Sequence, residues 1–354
     1  MISGLCNTCL IHRYQVSVVS YLEWECEYAL DERIHTYSLG YRQENSLPEK
    51  LVHTAFAARA CARLMDSIQA DLVLAFLPRP CLAACLMRRK NGIPVIGSYR
   101  SNPWYDMKGI FYPSLVRMIY DRADGFVFQT KQAAGFFHQK LRKKSVIIPN
   151  AVHGADRYLP YEGKRSRRIV SVGRFTDEKN YPLLLRAFAG LDKQYDDYTL
   201  WLYGRYDSRP GIRELAVELG ISKRVIFAGQ KEDLYHEICD ACLFVLASRS
   251  EGMPNALMEA MAMGLPVIAT DCPCGGPRML IQNGVNGILV PNEDENALIQ
   301  AMHDMLRHPE RAARLARHAS DIRTTYNEAA IYRQWDNYLK KVYAQAGKGS
   351  RSSL

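Results

Sequence analysis

Short runs of consecutive apolar residues recur along the chain and alternate with stretches of helical length. They predict strands at Gln15–Tyr21, Asp71–Leu77, Ile93–Ser98, Gly125–Gln129 and Ser145–Pro149. A second set follows at Arg168–Val172, Thr199–Tyr203, Arg224–Ala228, Leu243–Ala247, Pro266–Thr270 and Gly287–Val290. Several runs are apolar nearly throughout rather than alternating, which is the pattern of strands covered by helices on both faces of a parallel sheet. Strand and helix in alternation predict a doubly wound α/β architecture. The two series are separated by Val152–Arg167, rich in Gly, Pro, Tyr and charge and without clear period, read as an interdomain linker.

The organisation expected from this is a domain over 1–160 and a second over 161–325. The chain after Val290 is helical in pattern, over Glu293–Arg307, Pro309–Tyr326 and Glu328–Ala346. Tyr326, Ile331, Trp335, Tyr338, Leu339 and Val342 form an apolar stripe on a closing helix over 326–346. Residues 347–354, rich in Gly, Ser, Lys and Arg, are expected to be a disordered tail. At the other end, Met1–Ile11 reads as the latter part of a helix, with Leu5, Leu10 and Ile11 as its apolar face. A doubly wound domain opens with an interior strand and a glycine turn, and neither precedes this helix. Gln15–Tyr21 and Asp71–Leu77 are then expected to lack a pairing partner, and open edges favour association. The chain alone is expected to be poorly stable or weakly active, with an apolar strand and Gly-rich turn encoded upstream.

Composition narrows the picture. The 354 residues are 48% hydrophobic and 23% charged, which excludes a disordered or fibrous chain. The net charge of +9 is local: Arg59–Lys144 holds 15 Lys/Arg against 5 Asp/Glu, and the rest sums to about neutral. Such a stretch attracts phosphate, on nucleic acid, lipid headgroups or a phosphorylated substrate. No helix-turn-helix or single-strand stacking signal accompanies it, so nucleic acid is not expected. No apolar run is long enough to span a bilayer and no secretory leader is recognised, so a cytoplasmic location is expected. The ten cysteines include the pairs Cys6/Cys9 and Cys239/Cys242, more than 200 residues apart. They are read as buried thiols rather than as a metal site. The nine histidines show no metal-ligand spacing and are read mostly as surface residues.

Two segments carry candidate chemistry. Val172-Gly173-Arg174-Phe175-Thr176-Asp177-Glu178-Lys179-Asn180 follows a predicted strand and opens a helix. Gly173 permits a sharp turn beside a ligand, and Arg174 and Lys179 place two cations by a helix start, which suits a diphosphate. A solvated surface loop is also consistent with this segment taken alone. The second runs from Ser248 through Glu251-Gly252-Met253-Pro254-Asn255-Ala256-Leu257 and Glu259 to Asp271. A small polar loop ends a strand there and a helix starts near Pro254. Its free backbone N–H groups can receive an anion, while Glu251 and Glu259 can accept from sugar hydroxyls.

Glu251-x7-Glu259 within SRSEGMPNALMEAMAMGLPVIATD resembles the donor-site signature of family 4 glycosyltransferases, which are retaining enzymes. Val172-Gly173-Arg174 with Lys179 resembles their phosphate-binding motif, and Gly275-Gly276-Pro277 and Asn283–Pro291 also fit. The resemblance covers essentially the whole second half. It implies the GT-B fold: two Rossmann-like doubly wound domains facing across a cleft, here with the N-terminal domain lacking its first strand and with the helix over 326–346 returning to the N-terminal domain, ordinary packing on the second domain being the alternative. It implies that Arg174 and Lys179 bind the nucleotide diphosphate and stabilise its charge as it leaves. Glu251 would contact the donor sugar and Glu259 the ribose. Backbone amides from Gly252 to Leu257 would contact sugar and phosphates, and the base would lie near Gly229–Lys231.

In the first half, Ile93–Pro103, Ala123–Thr130 and Val146–Asn150 resemble family members that extend surface polysaccharides and lipid-linked glycans. Where many relatives carry a His after the strand ending near Ser98, this chain has none, and Arg100 and Asn102 are the acceptor-side candidates; for Arg100 a structural ion pair is an equal alternative. The implied donor is a nucleotide sugar, a UDP-hexose or UDP-N-acetylhexosamine, and the acceptor a saccharide or lipid-linked saccharide. The expected location is peripheral, on the cytoplasmic face of an anionic membrane. Contacts expected there are Arg88-Arg89-Lys90 and Lys140–Lys144, with Trp104, Tyr105, Phe111 and Tyr112. No two aspartates lie two positions apart, so with Arg174 and Lys179 in place of a metal, no metal or other cofactor is expected. The alternative is a truncated, non-catalytic or partner-dependent sugar-nucleotide-binding subunit.

Overall fold

A computed structural model describes residues 2–22, 29–41, 47–107, 111–154, 159–205 and 211–351. The chain divides into two compact units, one formed by residues 1–151 with 328–354, the other by 152–327. The division falls at Ala151/Val152, ahead of the segment read as a linker.

The first unit holds β1 (Ser17–Leu22) and β2 (His35–Tyr41), then β3 (Val73–Phe76), β4 (Val95–Tyr99), β5 (Gly125–Phe128) and β6 (Ser145–Ile147). β1 and β2 form a parallel two-stranded sheet running from Ser17 opposite His35 to Leu22 opposite Tyr41. β3 to β6 form a separate parallel sheet in sequence order. β1 is paired only with β2 and β3 only with β4, and no described strand joins the two sheets, so each keeps one edge without a strand, as the missing first strand leads one to expect; β1's partner is a strand the apolar pattern did not reveal. At the start of the chain, Leu5 of the helix Ile2–Thr8 is fully buried.

The helix Glu328–Arg351 packs in this first unit, and it continues past residue 346, where a disordered tail was expected. Ile331, Trp335, Tyr338, Leu339 and Val342 of the stripe are buried. The Tyr338 hydroxyl receives the Phe126 N–H at 2.8 Å and donates to the Lys144 carbonyl at 2.5 Å, tying the helix to β5 and β6. Gly125 is needed beneath it, since a Cβ there would lie 2.6 Å from the Tyr338 oxygen. Asp336, with a side chain 2% exposed, accepts from Arg13, from Tyr14 at 2.6 Å and from Lys340 at 2.9 Å.

The second unit holds β7 (Ser166–Val172), β8 (Thr199–Tyr203), β9 (Val225–Gly229), β10 (Ala241–Leu246), β11 (Val267–Asp271) and β12 (Ile288–Pro291). All six are parallel, in the order β12-β11-β10-β7-β8-β9. The chain enters in the middle at β7, winds outward to β9, then returns to β10 and winds the other way. The strand order reverses between β7 and β10, and ligands of such sheets bind beyond the carboxyl ends at that point.

Alternate residues explain the continuous apolar runs. Ile169, Leu243 and Val245 face one core with Leu184, Leu185 and Phe188, while Val170, Phe244 and Leu246 face the other with Leu257, Met258 and Met261. Truncating one such Leu costs about 2–5 kcal/mol. Among the described residues no helix is long and apolar enough to cross a membrane.

Candidate active site

The loops after β7, β8 and β9 step down the carboxyl edge of the sheet. The Gly173 N–H donates to Tyr203 O at 2.9 Å, and the Gly204 N–H to Gly229 O at 2.9 Å. Gly204 has φ +140°, and a Cβ there would overlap the Gly173 carbonyl. The Lys179 stem crosses Gly173 so closely that a Cβ on Gly173 would sit 3.1 Å from it. Tyr181 donates to Gly173 O at 2.8 Å and stacks on Phe175, with ring centroids 4.5 Å apart. The loop is thus braced from its own helix. Arg174 is exposed and has no ion pair among the described residues.

The loop after β10 carries Glu251, whose side chain is 11% exposed. Its Oε1 accepts from Lys179 Nζ at 2.6 Å and from Ser248 Oγ at 2.7 Å. Its backbone is clamped too: Glu251 N–H donates to Pro273 O at 2.7 Å and Cys274 N–H to Glu251 O at 2.9 Å. Beside it, a Cβ on Gly276 would overlap the Gly252 carbonyl, so only glycine lets these two loops meet.

Arg249 joins the two motifs. Its N–H donates to Glu178 O at 2.7 Å, and its guanidinium donates to Asp177 O at 3.1 Å and to Glu293 at 2.7 Å. The sequence reading assigned no role to Arg249, and nothing in its local pattern marks a contact with a loop some 70 residues earlier.

The helix Asn255–Ala262 starts at Pro254, and no described side chain caps it, so its first N–H groups are open to a ligand. Met253, Pro254 and Leu257 point into the core, Ala256 and Gly252 are half-buried and Asn255 is exposed. Any contact from the buried residues to a donor is therefore through backbone. Glu259, one turn in, keeps part of its surface open, yet the surrounding burial pushes its carboxyl up to about 7, with the His153 charge opposing. His153 is exposed, as read, but its charge acts on the site. Lys231, past Gly229 (φ +71°), pairs with Glu237 at 3.4 Å. The second unit thus brings Gly173, Arg174, Lys179, Glu251 and the start of the Glu259 helix together at the strand-order reversal.

In the first unit, Arg100 follows β4 and donates to Asn150 and to Ile148 O at 3.4 Å, with its guanidinium 5.8 Å from the Trp335 ring centroid. Burial pushes its pKa down to about 9, which leaves it cationic at neutral pH. Asn102 caps the helix Pro103–Asp106, accepting from Trp104 N–H at 3.0 Å. Both side chains thus have bracing contacts. Among the described residues no group of three or more His, Cys, Asp or Glu is placed to hold a metal ion. The described cysteines are free thiols, and Cys26 lies outside the described residues.

Two family models match end to end. Residues 5–154 match Glycosyltransferase Family 4, and residues 166–308 match Glycosyl transferases group 1. The chain belongs to the GT-B glycosyltransferases. A lipopolysaccharide core biosynthesis glycosyltransferase of Rhizobium meliloti is 32% identical over 148 residues, 42% of each chain. A Campylobacter jejuni 4-alpha-N-acetylgalactosaminyltransferase, named for a diphospho-undecaprenol-linked acceptor, is 26% identical over 300 residues, 81% of this chain and 79% of that one. The crystal structure of Anabaena HepE in complex with UDP and glucose shares the fold with a TM-score of 0.74 at 17% identity, over 87% of each chain. The chain spans about half the length of the first curated relatives it matches. The donor-side candidates lie in the second unit, and Arg100 and Asn102 in the first.

Proposed function

We propose that the chain transfers a hexose or N-acetylhexosamine from a nucleotide sugar, a UDP-sugar first, to a saccharide acceptor carried on a lipid, in the assembly of a cell-surface glycan. The observation that carries this reading is the Lys179–Glu251 pair, 2.6 Å long, set beside Arg174 and an uncapped helix start where the strand order reverses. The UDP and glucose held by HepE and the lipid-linked acceptor in the Campylobacter transferase's name support the choice of donor and acceptor.

In this reading the bond from the sugar's anomeric carbon to the diphosphate breaks, and its electron pair leaves on the phosphate oxygen. Arg174, Lys179 and the first N–H groups of the Asn255–Ala262 helix stabilise that charge, which is larger in the transition state than in the bound donor. Glu251 accepts from donor-sugar hydroxyls and Glu259 from the ribose, while the base lies by Gly229–Lys231. The acceptor hydroxyl forms the new bond to the anomeric carbon and gives up its proton to the departing diphosphate oxygen, with Arg100 and Asn102 on the acceptor side. Two side-chain cations on the diphosphate make the step independent of metal, and the family 4 resemblance argues for retention at the anomeric carbon.

The acceptor would be met at the cytoplasmic face of a membrane. Trp104, Leu115 and Met118 are exposed in the first unit, which also carries the basic residues Arg88 and Lys140–Lys144. The side chains of Arg89, Lys90, Phe111 and Tyr112, also expected there, lie outside the described residues. A thermal-shift and hydrolysis screen against UDP-, GDP- and ADP-sugars tests the reading. Stabilisation and turnover with a UDP-sugar are expected; no response to any nucleotide sugar would remove it.

A further inference from the structure

The first unit has a basic patch at the amino ends of its strands, the edge of the sheet opposite the one that carries Arg100 and Asn102. It is a shallow, largely open depression of about 550 Å³, lined by Arg88, Asp121, Arg122, Lys140 and Lys144. Arg88 comes from the end of the helix Pro78–Asn91, Asp121 and Arg122 from the turn before β5, Lys140 from the helix Gln139–Arg142, and Lys144 from the residue before β6. Four cations and one carboxylate from separate segments thus line one depression.

The side chains divide into held and free. Arg88 is spent on Asp124, with bonds of 2.7 and 3.1 Å, and Asp121 accepts from or shares a proton with His138 Nδ1 at 2.8 Å. The half-buried Lys144 ammonium donates to the carbonyls of Asp121, at 2.8 Å, and Ala123. It has no carboxylate at ion-pair distance among the described residues, and two carbonyls leave one of its three N–H donors unused. Arg122 and Lys140 are exposed and carry no ion pair among the described residues. Burial lowers the Lys144 pKa, the charges of Asp124 and Asp121 oppose that, and the like charge of Lys140 adds to it; the four cations still outnumber the two carboxylates, Asp121 and Asp124. A fork of guanidinium donors and two ammonium groups side by side on a surface is the chemistry that takes a phosphate group.

We propose that this depression is a phosphate-binding site, separate from the donor site, with Arg122, Lys140 and Lys144 as the phosphate's contacts. The phosphate can belong to an anionic lipid headgroup or to a soluble compound. The helix Phe111–Tyr120, which exposes Leu115 and Met118, runs directly into Asp121 and Arg122, and so a headgroup is the source tested alongside the soluble ion.

The test uses the full chain carrying Arg174→Ala and Lys179→Ala, so that the other phosphate-binding cations contribute nothing. Inorganic pyrophosphate is titrated calorimetrically, and vesicles of phosphatidylcholine with and without phosphatidylglycerol are co-sedimented. Adding Arg122→Ala and Lys140→Ala, both at exposed positions, should weaken binding of the probe at least tenfold. Adding Lys193→Ala and Lys223→Ala, which removes equal charge from the other unit, should leave it intact. Binding of pyrophosphate identifies a site for phosphate in solution; binding of the phosphatidylglycerol vesicles alone identifies the headgroup. Absence of binding to both probes, or equal loss in the two double variants, overturns the proposal.

Discussion

Lys179 and Glu251 share an ion pair of 2.6 Å across two loops that are 72 residues apart in sequence. The pair holds the lysine over Gly173, where a diphosphate is proposed to lie, and an incoming phosphate must compete with the carboxylate for the ammonium. Glu251→Ala should therefore leave free UDP affinity unchanged or tighter, while turnover falls, because the variant frees Lys179 but removes the acceptor for donor-sugar hydroxyls. Calorimetry with UDP, set beside turnover of the UDP-sugar, checks this. A large loss of UDP affinity in Glu251→Ala would contradict the division of roles.

Glu259 gives a pH signature. Its carboxyl is raised from an ordinary value near 4.3 to about 7, mainly by burial. The folded chain then binds more protons than the unfolded chain between those values, so stability falls as pH rises through that window. Glu259→Gln should stabilise the ligand-free protein at pH 8, by up to about 4 kcal/mol, and have little effect at pH 4.5. UDP binding should show the converse. The ionised carboxylate is the better acceptor for ribose hydroxyls, so the advantage of wild type over Glu259→Gln in UDP affinity should grow from pH 6 to pH 8. Denaturant midpoints and calorimetry at three pH values read both effects, and a pH-independent difference would contradict them.

The sheet of the second unit was legible because its strands are buried on both faces. Val170 and Phe244 pack into one core and Ile169 and Val245 into the other, so each strand reads as an apolar run. β2 escaped for the opposite reason. His35-Thr36-Tyr37-Ser38-Leu39-Gly40-Tyr41 is exposed or half-exposed along its length and carries no apolar run. The candidates that the structure brings together were legible where one motif held several of them, as from Gly173 to Lys179. The clamp by Arg249, the Pro273 and Cys274 backbone bonds and the charge of His153 on Glu259 depend on contacts between distant segments, which no local pattern encodes.

Gly276 tests how tightly the donor loop is held. A methyl group there must displace the Gly252 carbonyl, which is backbone and cannot rotate away. Gly276→Ala should cost about 1–3 kcal/mol of stability, the range for overpacking, and should weaken UDP binding as the loop shifts. An unchanged melting temperature together with unchanged UDP affinity would show that the loop yields freely.

Asp336 tests the tie between the start and the end of the chain in the first unit. Its burial alone would raise its pKa, but hydrogen bonds from Tyr14 and Lys340 and the charge of Arg13 outweigh that and hold it below the usual range. A carboxylate shifted this way adds stability above its unfolded pKa, near 3.9, and loses it as pH falls through the lower folded value. Asp336→Ala should cost about 2–3 kcal/mol at pH 7, since bonds to a charged group contribute about 1.5–3 kcal/mol each and the freed cations are partly rehydrated. The difference from wild type should shrink in acid. Urea unfolding at pH 7 and pH 3 makes the comparison, and an equal difference at both would contradict the assignment.

The central claim is that Arg174 and Lys179 stabilise a departing nucleoside diphosphate. The most direct measurement is release of UDP from a UDP-sugar accepted in the donor screen, compared among wild type, Arg174→Ala and Lys179→Ala at matched stability. Each substitution should lower the turnover rate by about 10²–10³, the cost of removing one group aimed at charge that develops in the transition state, while the fold and melting temperature stay near wild type. Near wild-type turnover in both variants would contradict the account.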